Sequence, residues 1–186
     1  YVKSNNLINI EKKNYLLCVG RLEKQKAFHY AIIAFAEISK KIPQLRLKIL
    51  GKGSLENELR QKVKELKISN KVDFESFQKN IIPYYVNAKA TILTSLFEGY
   101  PNSLIESIYL NTPVVAFDCP SGPSEIILDG QNGYLVKYLD VEDLKKKILM
   151  TLSKNLSCKD LKLTLNNNNE EIFKQYKTLI NSYYNS

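Results

Sequence analysis

The sequence predicts an α/β protein with a doubly wound parallel sheet of about six strands. Short, continuously apolar runs recur along the chain, as is typical of strands that are buried on both faces of a parallel sheet. Longer amphipathic segments separate most of these runs, and such alternation produces right-handed βαβ crossovers. Ligands of open α/β sheets bind beyond the carboxyl ends of the strands. We therefore expect the functional residues in the loops that follow the strands.

The first half of the chain contains two strand–helix units. Residues 15–20 form an apolar run, and the helix predicted at 27–42 stops before Pro43. The same plan repeats with a strand at 45–50 and a helix at 55–66. The repetition indicates that both units contribute to one sheet.

The second half continues the alternation around one long loop. An apolar run at 90–96 leads into this loop. A helix is predicted to begin at Asn102 or Ser103, because apolar side chains recur at helical spacing from there. The remaining predicted elements are strands at 71–74, 114–117 and 133–136 and helices at 82–87 and 141–152.

Three regions follow from this pattern. Residues 1–13 are polar and aperiodic, and we interpret them as the remnant of an interdomain linker. Residues 14–153 are predicted to form a Rossmann-like domain. Residues 154–186 form a tail, in which an amphipathic segment at 170–184 is predicted to be a terminal helix.

Composition narrows the function classes. The 186 residues are 44% apolar and 25% charged, as in globular domains. The net charge of +8 comes from scattered lysines, which favour a solvated surface but leave an anionic lipid or a phosphorylated ligand open. No helix-turn-helix, zinc or RNP-like pattern points to nucleic acid. Without a signal peptide or an apolar run near the ~20 residues of a membrane span, the sequence predicts a cytoplasmic protein with its three cysteines reduced.

The segment 95–107 has the layout of a phosphate site. Gly99 lets a ligand approach the backbone closely, and Pro101 restricts the turn. The first N–H groups of a helix that begins near Asn102 or Ser103 would point at an anion above them. The order of strand, turn and helix therefore predicts an anion-binding loop.

Two carboxylates flank this turn. Glu98 precedes the helix and Glu106 lies about one turn into it, so both could reach one ligand from different sides. Two simpler interpretations stay open. Ser103 and Glu106 also fit a capping box, and Glu98 could be a loop charge in water.

Further side chains of suitable chemistry follow the other strands. The loops concerned contain 20–21 with Lys26, 51–53, 76–78, 98–103 and 118–122. Because the carboxyl ends of parallel strands share one edge of the sheet, all of them are expected on one rim. Cations, glycines, an aromatic ring and carboxylates on one rim are typical of a site for a nucleoside diphosphate with a hydroxyl-rich group attached.

These motifs resemble those of a known family. The segments that carry the resemblance are 20–26, 51–53, 97–106, 112–116 and 130–136. In order and spacing they are similar to the nucleotide-sugar half of the retaining GT-B glycosyltransferases of family 4, the glycosyl transferases group 1. The resemblance extends from residue 15 to residue 152. It implies that the chain is the C-terminal, nucleotide-sugar-binding domain of such an enzyme.

The resemblance implies a role for each matching residue. Arg21 and Lys26 would neutralise the donor diphosphate and Glu98 would contact the donor sugar, so these three are the expected catalytic residues. Glu106 would bind the ribose hydroxyls. The other expected donor-binding residues are Gly20, Gly51, Phe77, Gln78, Gly99, Tyr100, Asn102, Ser103 and Leu104. No metal and no separate cofactor are implied, because the cations take the place of a divalent ion.

The resemblance also implies an activity. The substrate would be a nucleotide sugar, expected to be UDP-linked because the loop at 119–125 resembles that of relatives with UDP donors. The full-length enzyme would transfer a hexose or N-acetylhexosamine to a glycan or lipid-linked acceptor in surface polysaccharide, lipopolysaccharide or glycoprotein glycan synthesis. The N-terminal GT-B half, which binds the acceptor, is missing here, so this part is expected to be inactive alone. Peripheral contact with the inner membrane face would suit the scattered lysines.

Two other functions stay open at this stage. One is a phosphorylase or epimerase of GT-B shape. The other is a nucleotide-binding regulatory or scaffold module with a vestigial site. His29 is the only histidine, and we interpret it as a surface or packing residue rather than a catalytic base.

Overall fold

The computed structural model describes residues 12–154 together with Leu156, Cys158 and Thr178. Its sheet has six parallel strands in the order β3-β2-β1-β4-β5-β6. The strands are β1 (Tyr15–Val19), β2 (Arg46–Leu50), β3 (Val72–Glu75), β4 (Ala90–Leu93), β5 (Val114–Phe117) and β6 (Gly133–Val136). The predicted Rossmann-like, doubly wound sheet is thus confirmed. The direction of winding reverses between β1 and β4, which makes their carboxyl ends the expected place for a ligand.

Helices cover both faces of the sheet. They are α1 (Phe28–Lys41), α2 (Glu56–Glu65), α3 (Ile82–Asn87), α4 (Asn102–Tyr109), α5 (Pro123–Ile126) and α6 (Val141–Ser153). Apolar side chains of α1, α2 and α6 pack in one core cluster, while those of α3, α4 and α5 pack in two clusters on the other face. Because both faces are covered, β4 and β5 are fully buried, which accounts for their continuously apolar sequences.

Most predicted boundaries agree with the structure to within one residue. The strand predicted at 90–96 is shorter, however, because β4 ends at Leu93. Thr94 donates a hydrogen bond from its hydroxyl to the carbonyl of Lys26, and the N–H of Leu96 donates to the carbonyl of Gln25. The chain therefore leaves the sheet to meet the loop that follows β1. The short helix α5 lies where only a loop was expected.

The three cysteines are free and buried, and Cys18 lies in the main core cluster as predicted. The predicted linker at 1–13 lies outside the described residues except for its last two positions, and the terminal helix at 170–184 lies outside them except for Thr178. No helix in the described part of the chain is long and apolar enough to span a membrane.

The two ends of the described segment meet at the turn that follows α4. The ammonium of Lys12 donates a hydrogen bond to the hydroxyl of Thr112 at 2.6 Å. The N–H of Cys158 donates to the side-chain oxygen of Asn111 at 3.2 Å. Burial lowers the pKa of Lys12 to about 8, since desolvation disfavours its charged form. The same turn thus anchors both ends.

Helix α6 begins at a side-chain cap. Asp140 accepts a hydrogen bond from the N–H of Asp143 at 2.9 Å, and Asp143 in turn accepts one from the N–H of Lys137 at 2.9 Å. Replacing Asp140 by Ala removes the acceptor, and we expect the free energy of unfolding to fall by about 1 kcal/mol in urea denaturation followed by circular dichroism. Asp140→Asn keeps an acceptor and should stay close to the wild type. An equal loss in both variants would show that the carboxylate charge, and not the cap, stabilises the helix.

Candidate functional site

The candidate site lies where the loops after β1 and β4 meet. The N–H of Leu96 donates to the carbonyl of Gln25 at 2.8 Å, and the Gln25 side chain donates to the carbonyl of Phe97 at 3.0 Å. The hydroxyl of Thr94 donates to the carbonyls of Lys26 and Ala27 at 3.0 and 3.1 Å. These bonds join the two loops at the carboxyl ends of the strands where the winding reverses.

Glu98 and Lys26 form a nearly buried ion pair at this junction. The ammonium of Lys26 lies 2.5 Å from Oε1 of Glu98, and the two side chains are 15% and 7% exposed. The hydroxyl of Ser95 donates to the same Oε1 at 2.5 Å. The interpretation of Glu98 as a loop charge in water is therefore wrong. A carboxylate that is removed from water in this way needs such partners to remain charged.

Loops from the two following strands support the Glu98 loop from outside. The hydroxyl of Ser121 donates to the carbonyl of Glu98 at 2.8 Å, and the hydroxyl of Tyr138 donates to the carbonyl of Leu96 at 2.8 Å. Gly122 allows a further close approach, because a Cβ at this position would lie 2.6 Å from Cδ of Pro101. The backbone around Glu98 is thus held from three sides.

The predicted site glycines differ in what they do. A Cβ on Gly51 would lie 1.9 Å from the carbonyl oxygen of Gly20, so Gly51 is required for the packing of one loop on the next. A Cβ on Gly20 would lie 3.1 Å from the Lys26 side chain. A Cβ on Gly99 would meet nothing within 4 Å. Gly99 therefore borders open space, as a glycine next to a ligand would.

Helix α4 begins at Asn102, and its cap position is Pro101, which has no side-chain hydrogen bond to offer. Ser103 lies inside the first turn, so the capping-box interpretation of Ser103 and Glu106 is wrong. The N–H of Leu104 donates to the carbonyl of Pro101, and its side chain is fully buried. Only the two amides before it, which have no acceptor inside the helix, remain suited to an anion.

The other carboxylate lies one turn into this helix. Glu106 accepts a hydrogen bond from the hydroxyl of Tyr85 at 2.7 Å, and Tyr85 is itself fully buried in the core. The buried ring leaves the hydroxyl little freedom. Glu106 is thus held in place from the side of α3.

The remaining predicted residues lie on the same rim with different surroundings. Arg21 is exposed and forms no ion pair or hydrogen bond within residues 12–154. Phe77 is 75% exposed, and Gln78 is half-buried. The ring of Tyr100 packs against the core cluster of α4, and burial, with a smaller effect of the Glu125 charge, raises the pKa of its hydroxyl. Tyr100 is therefore suited to offer its backbone rather than its side chain.

Three supporting residues were not found by sequence reasoning. Ser95, Gln25 and Tyr138 all fix the loop that contains Glu98. Ser95 lies within the motif itself, and its closeness to the carboxylate was the available signal. The contacts of Gln25 and Tyr138 join residues far apart in sequence, which no local pattern predicts.

The site brings together chemistry that suits an anionic, hydroxyl-bearing ligand. An unpaired guanidinium, a paired ammonium and helix amides lie on one rim with two oriented carboxylates, which can accept hydrogen bonds from hydroxyl groups. Among the described residues, no group of three or more His, Cys, Asp and Glu side chains could hold a metal ion.

A family model described as "Glycosyl transferases group 1" matches residues 3–176. The chain is 37% identical over 126 residues to the N-acetylgalactosamine-N,N'-diacetylbacillosaminyl-diphospho-undecaprenol 4-alpha-N-acetylgalactosaminyltransferase of Campylobacter jejuni, which covers 68% of this chain and 34% of the relative. The chain thus spans about a third of that relative, and 40% or less of the other curated relatives compared.

Two solved structures place the fold. The C-terminal domain of a group 1 glycosyl transferase (LpcC) of Francisella tularensis aligns with a TM-score of 0.71 at 26% identity, covering 81% of this chain and 85% of that domain. A Staphylococcus aureus TarM variant in complex with Fondaparinux, alpha-GlcNAc-glycerol and UDP aligns with a TM-score of 0.79 at 22% identity, over 94% of this chain and 36% of that one. The second likeness concerns the fold alone.

The two kinds of glycine provide a test of the site's construction. Gly51→Ala would place a methyl group against the backbone of Gly20, and we expect the free energy of unfolding to fall by about 3 kcal/mol. Gly99→Ala should change it by less than about 0.5 kcal/mol, because the new methyl group meets nothing. Urea denaturation of both variants measures the difference. Similar values for the two would contradict the packing role of Gly51.

Proposed function

Because the chain belongs to the glycosyl transferases group 1 family, we propose that it is the donor-binding domain of a retaining glycosyltransferase that uses a nucleotide sugar. The observation that carries the proposal is the Lys26–Glu98 pair at the carboxyl ends of β1 and β4. A cation for phosphate and a carboxylate for sugar hydroxyls lie side by side there, where a ligand of such a sheet is expected.

The cations would act on the leaving group. When the bond between the anomeric carbon and the diphosphate breaks, negative charge develops on the phosphate oxygen. Arg21 and Lys26 would stabilise that charge, and fixed cations in a cleft shielded from water are most effective at this point of the reaction. Arg21 is exposed and unpaired within the described residues, so it could take up a phosphate without breaking an existing bond.

The carboxylates would orient the hydroxyl-bearing parts of the donor. Glu98 would accept hydrogen bonds from the donor sugar, and Glu106, which Tyr85 holds in place, would accept them from the ribose. The amides of Asn102 and Ser103 at the start of α4 would add donors for a phosphate. No step requires a metal ion when the cations hold the diphosphate.

The base would lie beside the loop that follows β3. The ring of Phe77 is 75% exposed there, and an aromatic face of this kind can stack on a base. We propose UDP as the nucleotide. The TarM structure with the same fold contains UDP, and the loop at 119–125 resembles that of relatives with UDP donors.

The acceptor would bind to a second half that this chain lacks. The chain spans about a third of its Campylobacter relative, whose printed name specifies a diphospho-undecaprenol-linked acceptor. We propose a glycan or lipid-linked acceptor for this protein too, with transfer of a hexose or N-acetylhexosamine at the cytoplasmic face of the membrane. The lysine-rich surface would favour peripheral contact with anionic lipid there. The chain alone is expected to transfer little or no sugar.

Titration calorimetry of the 186-residue chain with UDP, GDP and ADP tests donor binding directly. We expect UDP to bind most tightly. Arg21→Ala and Lys26→Ala should each weaken UDP binding about ten- to a hundredfold, because each removes a charged hydrogen-bond donor.

Lys24→Ala is the matched control, since Lys24 is an exposed cation of the same loop. It should leave UDP affinity almost unchanged. Equal losses in all three variants would reduce the effect to the general charge of the surface. No binding of any of the three nucleotides would contradict the proposed function and favour a vestigial site.

A further inference from the structure

We propose that Ser95 is a positioning residue that aims Glu98 at the donor sugar, and that the Lys26–Glu98 pair makes the site prefer a nucleotide that carries a sugar over the sugar-free nucleoside diphosphate. The inference rests on the proposed function. It concerns the discrimination between substrate and product at that site, and it follows from how the two oxygens of one carboxylate are used.

The two oxygens of Glu98 have different surroundings. Oε1 accepts hydrogen bonds from the Ser95 hydroxyl and the Lys26 ammonium, both at 2.5 Å. Oε2 accepts none from the residues that the structure describes. Ser95 is fully buried two positions beyond the end of β4, so its hydroxyl has a defined place. With Oε1 held from two sides, the carboxylate cannot turn freely, and Oε2 is the oxygen left for a ligand.

The pair also sets a condition on what binds. A diphosphate that attracts the ammonium of Lys26 draws it from Glu98. The carboxylate is only 7% exposed, and a buried charge that loses its partner is strongly unfavourable. Sugar hydroxyls can replace the lost hydrogen bonds through Oε2. A nucleoside diphosphate without a sugar has no such groups at this position, so it takes Lys26 at the cost of leaving Glu98 with Ser95 alone.

The consequence is a site that favours substrate binding and product release. The nucleotide sugar satisfies both members of the pair, whereas the nucleoside diphosphate that remains after transfer satisfies only one. Ser95 enters this discrimination because it keeps Oε2 directed at the sugar. Without its hydroxyl, Glu98 would follow Lys26 when the ammonium moves toward the phosphate.

The test compares the dissociation constants of UDP, UDP-glucose and UDP-N-acetylglucosamine by calorimetry. If the earlier titration selects GDP or ADP, the probes are GDP with GDP-mannose or ADP with ADP-glucose. The wild type should bind at least one nucleotide sugar more tightly than the free nucleotide. Ser95→Ala should reduce that preference about tenfold, because it removes a hydrogen bond to a charged group.

Ser107→Ala is the matched control. Ser107 is also fully buried, and its hydroxyl donates to Thr91 and Thr112 within the core rather than to the site. It should lower stability while leaving the preference for the sugar unchanged. Glu98→Gln removes the charge that competes for Lys26, so it should tighten free UDP several-fold and weaken the nucleotide sugar.

The outcomes separate the two proposals. Loss of both affinities to the same extent in Ser95→Ala would reduce Ser95 to a structural role and overturn the inference. An unchanged UDP affinity in Glu98→Gln would overturn the competition between Glu98 and the phosphate. In both cases the donor-binding function would stand. A wild-type chain that binds neither nucleotide nor nucleotide sugar would instead overturn the proposed function and the inference with it.

Discussion

The structure depends on one buried ion pair between two loops. Lys26 follows β1 and Glu98 follows β4, and these neighbouring strands are the pair at which the winding of the sheet reverses. Two charges that are withdrawn from water must be held close and fully hydrogen-bonded, or the fold loses free energy. The surrounding loops meet that requirement: Thr94 and Gln25 join the two chains, and Ser95 supplies the additional donor.

The rim around this pair has a rigid end and an adaptable end. Near Glu98 the backbone is fixed by Ser121 and Tyr138, so groups that would meet a sugar are already in place. Arg21 and Phe77, which would meet the phosphates and the base, are exposed. Fixed geometry at the reacting bond and freedom at the remote part of the ligand are compatible with one donor domain that accommodates the approach of a second half.

Much of the fold and part of the site could be predicted from the sequence because they depend on local patterns. Apolar runs and helical periodicity located nearly all boundaries, and the rule for carboxyl ends placed Lys26 and Glu98 on one rim. The errors arose where distant contacts decide. The strand before Ser95 ends early because its backbone bonds to the loop after β1, and the capping box fails because Pro101 occupies the cap. The partner of Glu106, Tyr85, lies on another helix and has no signature in the motif.

Helix α4 connects two places that were described separately. Its first residue lies in the candidate site, and the turn after its last residue binds both Lys12 and Cys158. With a rise of about 1.5 Å per residue, its length is roughly 12 Å. The helix is therefore a short rigid rod, with the anion-binding amides at one end and the attachment of both chain segments at the other. A load applied through either segment reaches the site along a single element, so the mechanical coupling of this domain to whatever adjoins it runs through α4.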